Sequence, residues 1–173
     1  MASYSMGIDF GTLSARAVII DTATGEEKGV SVCEYAHGVI SDKFINGKAL
    51  PKDFALQHPM DYKDSLFFVI KESIKVAGID PADIIGIGVD FTASTVMPVF
   101  EDGTPLCFDE RFKNSPHAYV KLWKHHAAEE EAKELNALAK NEAPKLLERY
   151  GGTISSEWLF PKVLETLRKD KAT

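Results

Sequence analysis

Within Asp9-Phe10-Gly11-Thr12-Leu13-Ser14-Ala15-Arg16 the chain gathers a carboxylate, a glycine, two hydroxyls and a guanidinium. Thr12 and Ser14 place hydroxyls beside successive backbone N–H groups, a donor-rich concavity suited to phosphate oxygens. Gly11 lets main chain approach a ligand with no Cβ in the way. Leu13 lies inside the turn, and Arg16 can reach a phosphate or end in solvent as an ordinary strand residue. Asp9 would repel a phosphate directly. Mg²⁺ held by Asp9 through water removes that conflict, because Mg²⁺ keeps several of its waters and takes few carboxylates. With no ligand, the same residues make a plain hairpin with an Asp at its turn.

Further along, Asp90 ends an apolar run and Phe91-Thr92-Ala93-Ser94 follows. In open α/β sheets the carboxyl ends of strands line the ligand crevice. Asp90 is therefore expected either beside Asp9, towards substrate or the metal shell, or capping the next turn through its own backbone. Trp123 offers a ring for the C–H face of a sugar and an N–H for a hydroxyl. A core tryptophan on the inner side of a helix is the alternative. Lys121 and Lys124 read as solvated helix lysines. His125 and His126 are adjacent, so a helix would send them to different sides and they form no i, i+4 metal pair.

The elements that must position these residues follow from pattern and punctuation. Strands are predicted at 4–8, 16–20 and 27–35, joined by short turns, which makes an antiparallel meander. Residues 36–58 form a long irregular excursion with Phe44 and Phe54 packing beneath it. A helix begins at Pro59, with Asp61 in its first turn, and Gly78 stops it. Its apolar face is Leu66, Phe67, Val69, Ile70, Ile74 and Ala77. The run 84–90 is continuously apolar, the sign of a strand buried on both faces, with Gly86 and Gly88 admitting a close neighbour. A hairpin is expected around Glu101-Asp102-Gly103-Thr104. A helix from Ser115-Pro116 to about Lys140 would carry Val120, Trp123, Ala127, Leu135 and Leu138 on one side and a solvated Glu129, Glu130, Glu131 and Lys133 face. A last helix, capped by Ser155 or Ser156, would turn Trp158, Val163, Leu164 and Leu167 inward.

Two other nucleotide motifs are absent: there is no G-x-x-x-x-G-K-[ST] and no G-x-G-x-x-G opening a helix. Asp9-Phe10-Gly11 spells a protein-kinase triplet without the Gly-rich loop or H-R-D that give it meaning. Gly7-Ile8-Asp9-Phe10-Gly11-Thr12-Leu13-Ser14-Ala15-Arg16 instead resembles the first phosphate loop of the sugar-kinase/Hsp70/actin ATPases. With Gly88-Val89-Asp90-Phe91-Thr92-Ala93, Lys121-Leu122-Trp123-Lys124-His125-His126 and Arg149-Tyr150-Gly151-Gly152-Thr153-Ile154-Ser155-Ser156-Glu157-Trp158, it resembles the FGGY carbohydrate kinases. The resemblance covers almost the whole chain, but only about the front third of such an enzyme.

That resemblance implies an α/β, ribonuclease-H-like N-terminal domain whose mixed sheet begins with the meander and is flanked by helices. It implies ATP and Mg²⁺ as cofactors and a ketopentose, L-ribulose, as substrate. Asp9, Gly11, Thr12, Leu13, Ser14 and Arg16 would hold the phosphate end, with Asp9 on the metal. Asp90, Ala93 and Trp123 would shape the sugar pocket, Ala93 through its backbone. The general-base Asp and the adenine-side domain are expected beyond Thr173. Residues 1–173 alone are then expected to be inactive, with an apolar edge that could pair with another copy. The rivals are a non-kinase ATPase of the same superfold, another FGGY sugar kinase, and an inactive structural piece.

Composition narrows the partners. The 173 residues carry a net charge of −6, with 45% apolar and 27% charged side chains. That suits one domain with a real core and argues against nucleic acid and anionic membranes, which want basic patches. A phosphate site here must be local, made of backbone N–H groups and metal. Cys33 and Cys107 are far apart in sequence, a reduced pair in a cytoplasmic protein. No signal peptide or membrane-length apolar run is expected.

Overall fold

The apolar strands predicted on either side of the Gly11 turn form as expected in a computed structural model, which describes residues 3–173. In chain order the first elements are β1 (Tyr4–Phe10), β2 (Ser14–Asp21), β3 (Glu27–Glu34), β4 (Leu56–Gln57), α1 (Pro59–Ala77) and β5 (Ile84–Phe91). They are followed by β6 (Val120–Lys121), α2 (Glu129–Glu142), α3 (Pro144–Arg149) and α4 (Leu159–Lys169). The chain divides into two compact units: residues up to Gly38 with His58–Thr92, and Val39–Gln57 with Ala93–Thr173.

The first unit is a mixed sheet in the order β3-β2-β1-β5. β1, β2 and β3 make the antiparallel meander, and β5 joins β1 in parallel. That pairing needs a crossover, which α1 supplies. His58 caps α1 by accepting the Met60 N–H on Nδ1, Pro59 opens it, and Gly78 closes it at φ 63°. Asp61, buried at the first turn, accepts both the His37 backbone N–H and its ring Nδ1, which ties the end of the meander to the helix start. One sheet face packs Tyr4, Met6, Ile8, Ala15, Ala17 and Ile19 with Val69 of α1. Phe67, expected on that apolar face, is exposed.

The close approach expected at Gly86 and Gly88 occurs at Gly29 instead. A Cβ there would lie 2.5 Å from the Ser73 carbonyl and 2.8 Å from the Ala77 nitrogen. Ser31 Oγ donates to the Val69 carbonyl at 2.7 Å beside it. Apart from the adjoining residues of the strand, no atom of the described residues comes within 4 Å of a Cβ built on Gly86 or Gly88. β5 is likewise not buried on both faces. Ile85, Ile87, Val89 and Phe91 are more than half exposed. They share the face of Met6 and Ile8 by register, but α1 lies over β2 and β3 and does not reach them.

The second unit folds the 39–57 excursion into a core of its own, in which Phe44 and Phe54 are buried with Leu56, Leu106, Ala118 and Tyr119. The 101–104 turn forms, with Phe100 N–H donating to the Thr104 carbonyl. Its second arm is not a strand but a 3-10 turn, Leu106–Phe108, after Pro105. The long helix from Ser115 does not form either. Pro116–Ala118 is a single 3-10 turn, Tyr119 is extended, and Val120–Lys121 pairs with Leu56–Gln57. Helix resumes only at Glu129. α4 begins at Leu159 without a serine cap, and its expected inward side is only partly met: Lys162 and Glu165 are buried, Trp158 and Leu164 are half-buried, and Val163 and Leu167 are exposed.

Candidate functional site

Strand register brings together the acidic and basic residues singled out in the first unit. Asp9 pairs with Arg16 across the hairpin and with Asp90 on the parallel neighbour. Residues in register on adjacent strands present side chains to the same face. Here it is the sheet face opposite α1, where Gly7, Asp9, Arg16, Val18, Gly88 and Asp90 line one groove. Arg16 Nη1 lies 3.8 Å from Asp9 Oδ2, with both side chains about half exposed. An exposed pair of this kind is worth about 0–1 kcal/mol, so an incoming phosphate or hydrated cation can displace it cheaply. Asp90 Oδ1 also accepts the N–H of Phe91, the next residue of the same strand, at 2.9 Å.

The turn itself is tight. Gly11 N–H donates to the Ser14 carbonyl at 2.9 Å, and Tyr35 N–H fixes the Leu13 carbonyl at 2.8 Å. A Cβ on Gly11 would sit 3.2 Å from the Ser14 oxygen, so the turn favours glycine for its own geometry as well as for access. Leu13 is exposed at the tip and Ser14 is buried at its base. Behind the turn, Tyr62 meets Phe10 and Tyr35 edge-on, at 5.8 and 5.5 Å between centroids. Two carboxylates on one open face are hard oxygen donors, a set that fits a hydrated Mg²⁺ held by Asp9.

Ala93 and Trp123 belong to the second unit. Ala93 is exposed and precedes Ser94, whose φ of 52° is unusual for a residue with a Cβ. Trp123 is not on a helix. It sits in the loop after β6 and is 40% exposed. The histidines diverge as foreseen, though without a helix: His125 is fully buried and His126 is exposed.

The structure also shows a buried polar network that the sequence reading missed. Lys121 is not solvated. Its Nζ donates to Glu165 Oε2 at 2.7 Å, Thr166 Oγ1 at 2.6 Å and the Lys162 carbonyl at 3.2 Å. His125 accepts the Ala55 N–H on Nδ1 and lies 2.9 Å from Glu165 Oε2 through Nε2. Burial pushes His125 down, so the neutral ring donates from Nε2 to the carboxylate. Burial alone would raise Glu165, but the His125 hydrogen bond and the Lys121 charge hold it at about 2. Lys162 Nζ donates to the carbonyls of Ser94 at 2.8 Å, Leu122 at 2.7 Å and Trp123 at 3.5 Å. Glu131, expected on the solvated face of α2, is buried with Lys169 Nζ 3.5 Å away.

No family model matches the chain. Individual proteins do. The chain is 52% identical over 154 residues to the ribulokinase of Bacillus licheniformis, covering 88% of this chain and 28% of that one. To the ribulokinase of Mycolicibacterium smegmatis it is 50% identical over 169 residues, covering 96% and 30%. Among solved structures, xylulose kinase from Rhodospirillum rubrum matches with a TM-score of 0.73 at 18% identity, covering 98% of this chain and 30% of that chain. Gluconate kinase from Lactobacillus acidophilus matches at 0.70 and 18%, covering 99% and 30%.

The mixed sheet with its leading meander is thus the sugar-kinase form of the ribonuclease-H-like fold, as the sequence implied. Within the FGGY carbohydrate kinases the chain belongs to the ribulokinase family, and it spans 28–30% of the length of these relatives.

Proposed function

We propose that the protein of which these residues are part transfers the γ-phosphoryl group of ATP to L-ribulose, giving L-ribulose 5-phosphate. The observation that carries this reading is the sequence likeness to ribulokinases along nearly all of the chain. The geometry supports it: Asp9, Arg16 and Asp90 share one open sheet face, beside a turn whose N–H groups and hydroxyls suit phosphate. In this reading Gly11, Thr12, Leu13, Ser14 and Arg16 hold the phosphate end. Asp9 holds hydrated Mg²⁺, which when bound neutralises phosphate charge. Asp90, Ala93 and Trp123 face the sugar.

The base that accepts the hydroxyl proton, and the adenine side of the nucleotide site, lie outside these residues in this reading, so the 173 residues alone do not turn over sugar. The exposed row Ile85, Ile87, Val89 and Phe91 on β5, and separately the stripe Leu159, Val163 and Leu167 on α4, are surfaces that the rest of the protein covers. Cytoplasmic residence fits this chemistry, and among the described residues no helix is long and apolar enough to cross a membrane.

Ligand-induced thermal shift of the whole protein tests the reading. Saturating L-ribulose, at about 100 times its Kd, adds roughly 2.7 kcal/mol to the folded state and raises Tm. A non-kinase ATPase of the same superfold ignores sugars, so the absence of a shift with every ketopentose would overturn the proposal.

A further inference from the structure

Lys162 has no solvent exposure, yet its nearest partners are backbone carbonyls rather than a carboxylate. A buried ammonium is costly to desolvate, and it persists where its three donors are all satisfied. Here they converge on the carbonyls of Ser94, Leu122 and Trp123. These belong to two segments far apart in sequence. One carries Ala93 and the positive-φ Ser94; the other carries Trp123. The first segment is irregular here, and the second is leaving its pairing with β4, where the Leu122 N–H donates to the Ala55 carbonyl at 2.9 Å. This ammonium joins one to the other, alongside the Val96–Lys121 bridge.

The network around it keeps Lys162 in place. It lies on α4 one turn before Glu165, which holds Lys121 and His125, and Lys121 donates back to the Lys162 carbonyl. Burial pushes the Lys162 ammonium down to about 8, with Glu157 and Glu165 opposing and Lys121 adding to the fall. The group therefore carries its charge, and all three N–H donors, at neutral pH.

We propose that Lys162 is a positioning residue for the sugar pocket, a three-way clamp that sets the separation of Ala93 and Trp123 and so the affinity for the ketose. This rests on the reading of Ala93 and Trp123 as sugar-facing. A misplacement on the order of 1 Å at a substrate-positioning group can cost up to about a hundredfold, so a clamp acting at second hand is expected to matter about tenfold.

The test uses the whole protein with Lys162→Met, Trp123→Ala and, as a stability control, Leu106→Ala in the core of the second unit. Steady-state KM for L-ribulose and for ATP are measured together with Tm. The proposal expects Lys162→Met to raise the L-ribulose KM about tenfold while the ATP KM stays within about twofold. Leu106→Ala should lower Tm by a similar amount and leave both KM values alone. If Lys162→Met and Leu106→Ala both lower Tm and neither moves the sugar KM, while Trp123→Ala does, the clamp is overturned and the sugar-site reading stands. An unchanged sugar KM in Trp123→Ala removes the sugar-site reading, and this inference with it. Should Lys162→Met fail to fold, Lys162→Gln, with two N–H donors for three carbonyls, is judged by the same split. Failure of both to fold marks Lys162 as a core residue only and counts against the proposal.

Discussion

Removing Glu165 should be among the most damaging single changes in the second unit, although it is a charged residue on a surface-patterned helix. Its side chain is fully buried, and Oε2 accepts from Lys121 Nζ at 2.7 Å and lies 2.9 Å from His125 Nε2. Glu165→Ala leaves the Lys121 ammonium with only neutral acceptors, the Lys162 carbonyl and Thr166 Oγ1. Breaking a buried ion pair by deleting one partner costs about 3–5 kcal/mol, because the other charge stays behind. Burial already holds the Lys121 ammonium below its ordinary value, so it can shed its proton, which puts the expected loss near the lower end of that range. At about 2–4 °C per kcal/mol for a chain of this size, Tm falls by roughly 6–12 °C. The exposed Lys75–Glu72 pair, at a similar 2.7 Å, is the internal control: Glu72→Ala should cost no more than about 1 kcal/mol. Replacing both partners, Lys121→Met with Glu165→Leu, should recover most of the loss, since neither charge is then stranded. Urea unfolding with a matched m-value provides the assay. A Glu165→Ala loss below about 1 kcal/mol, or a double variant no better than the single, would refute this reasoning.

The same network gives a pH signature. Glu165 is held at about 2 against an ordinary 4.5, so its contribution is complete above 4.5 and disappears as pH falls towards 2. Urea titrations of wild type and Glu165→Gln should therefore diverge above pH 4.5 and converge near pH 2. His117 works in the same direction at higher pH: burial pushes it from 6.5 down to about 4, so stability is lost as pH falls between those values, and a His117→Phe variant should lack that slope. Gly29→Ala should destabilise the first unit by at least about 1–3 kcal/mol, because its Cβ meets α1 backbone that cannot step aside; a neutral Tm would contradict the strand–helix contact. Asp9→Ala in the whole protein should lower turnover at least tenfold at saturating Mg²⁺, on the order expected when a charge-stabilising metal is lost, and wild-type turnover there would remove Asp9 from the metal.

Local chemistry made the first unit legible. The Gly11 turn, Pro59 and Gly78 announced a hairpin and a helix whose residues lie next to each other in the chain, and the Asp9–Arg16 register follows from the turn. Asp90 landed beside Asp9 because the helix crossover leaves a parallel strand few other places. The second unit was read poorly, since its decisions are made at long range. Val120–Lys121 is a strand because Leu56–Gln57 is there to pair with it, and this takes Trp123 off the helix. α4 buries Lys162 and Glu165 because carbonyls and charges from residues 94 and 121–125 meet them; helical periodicity alone points to Val163 and Leu167. The apolar run of β5 was recognised as a strand, but periodicity does not show which of its neighbours lie within these 173 residues.

Sugar kinase activity is read out by a coupled ADP-release assay on the whole protein with Mg²⁺-ATP, with and without L-ribulose. The expected result is ADP formation that depends on the sugar, with L-ribulose 5-phosphate formed in equal amount. ADP release indifferent to L-ribulose and to every other ketopentose would contradict it.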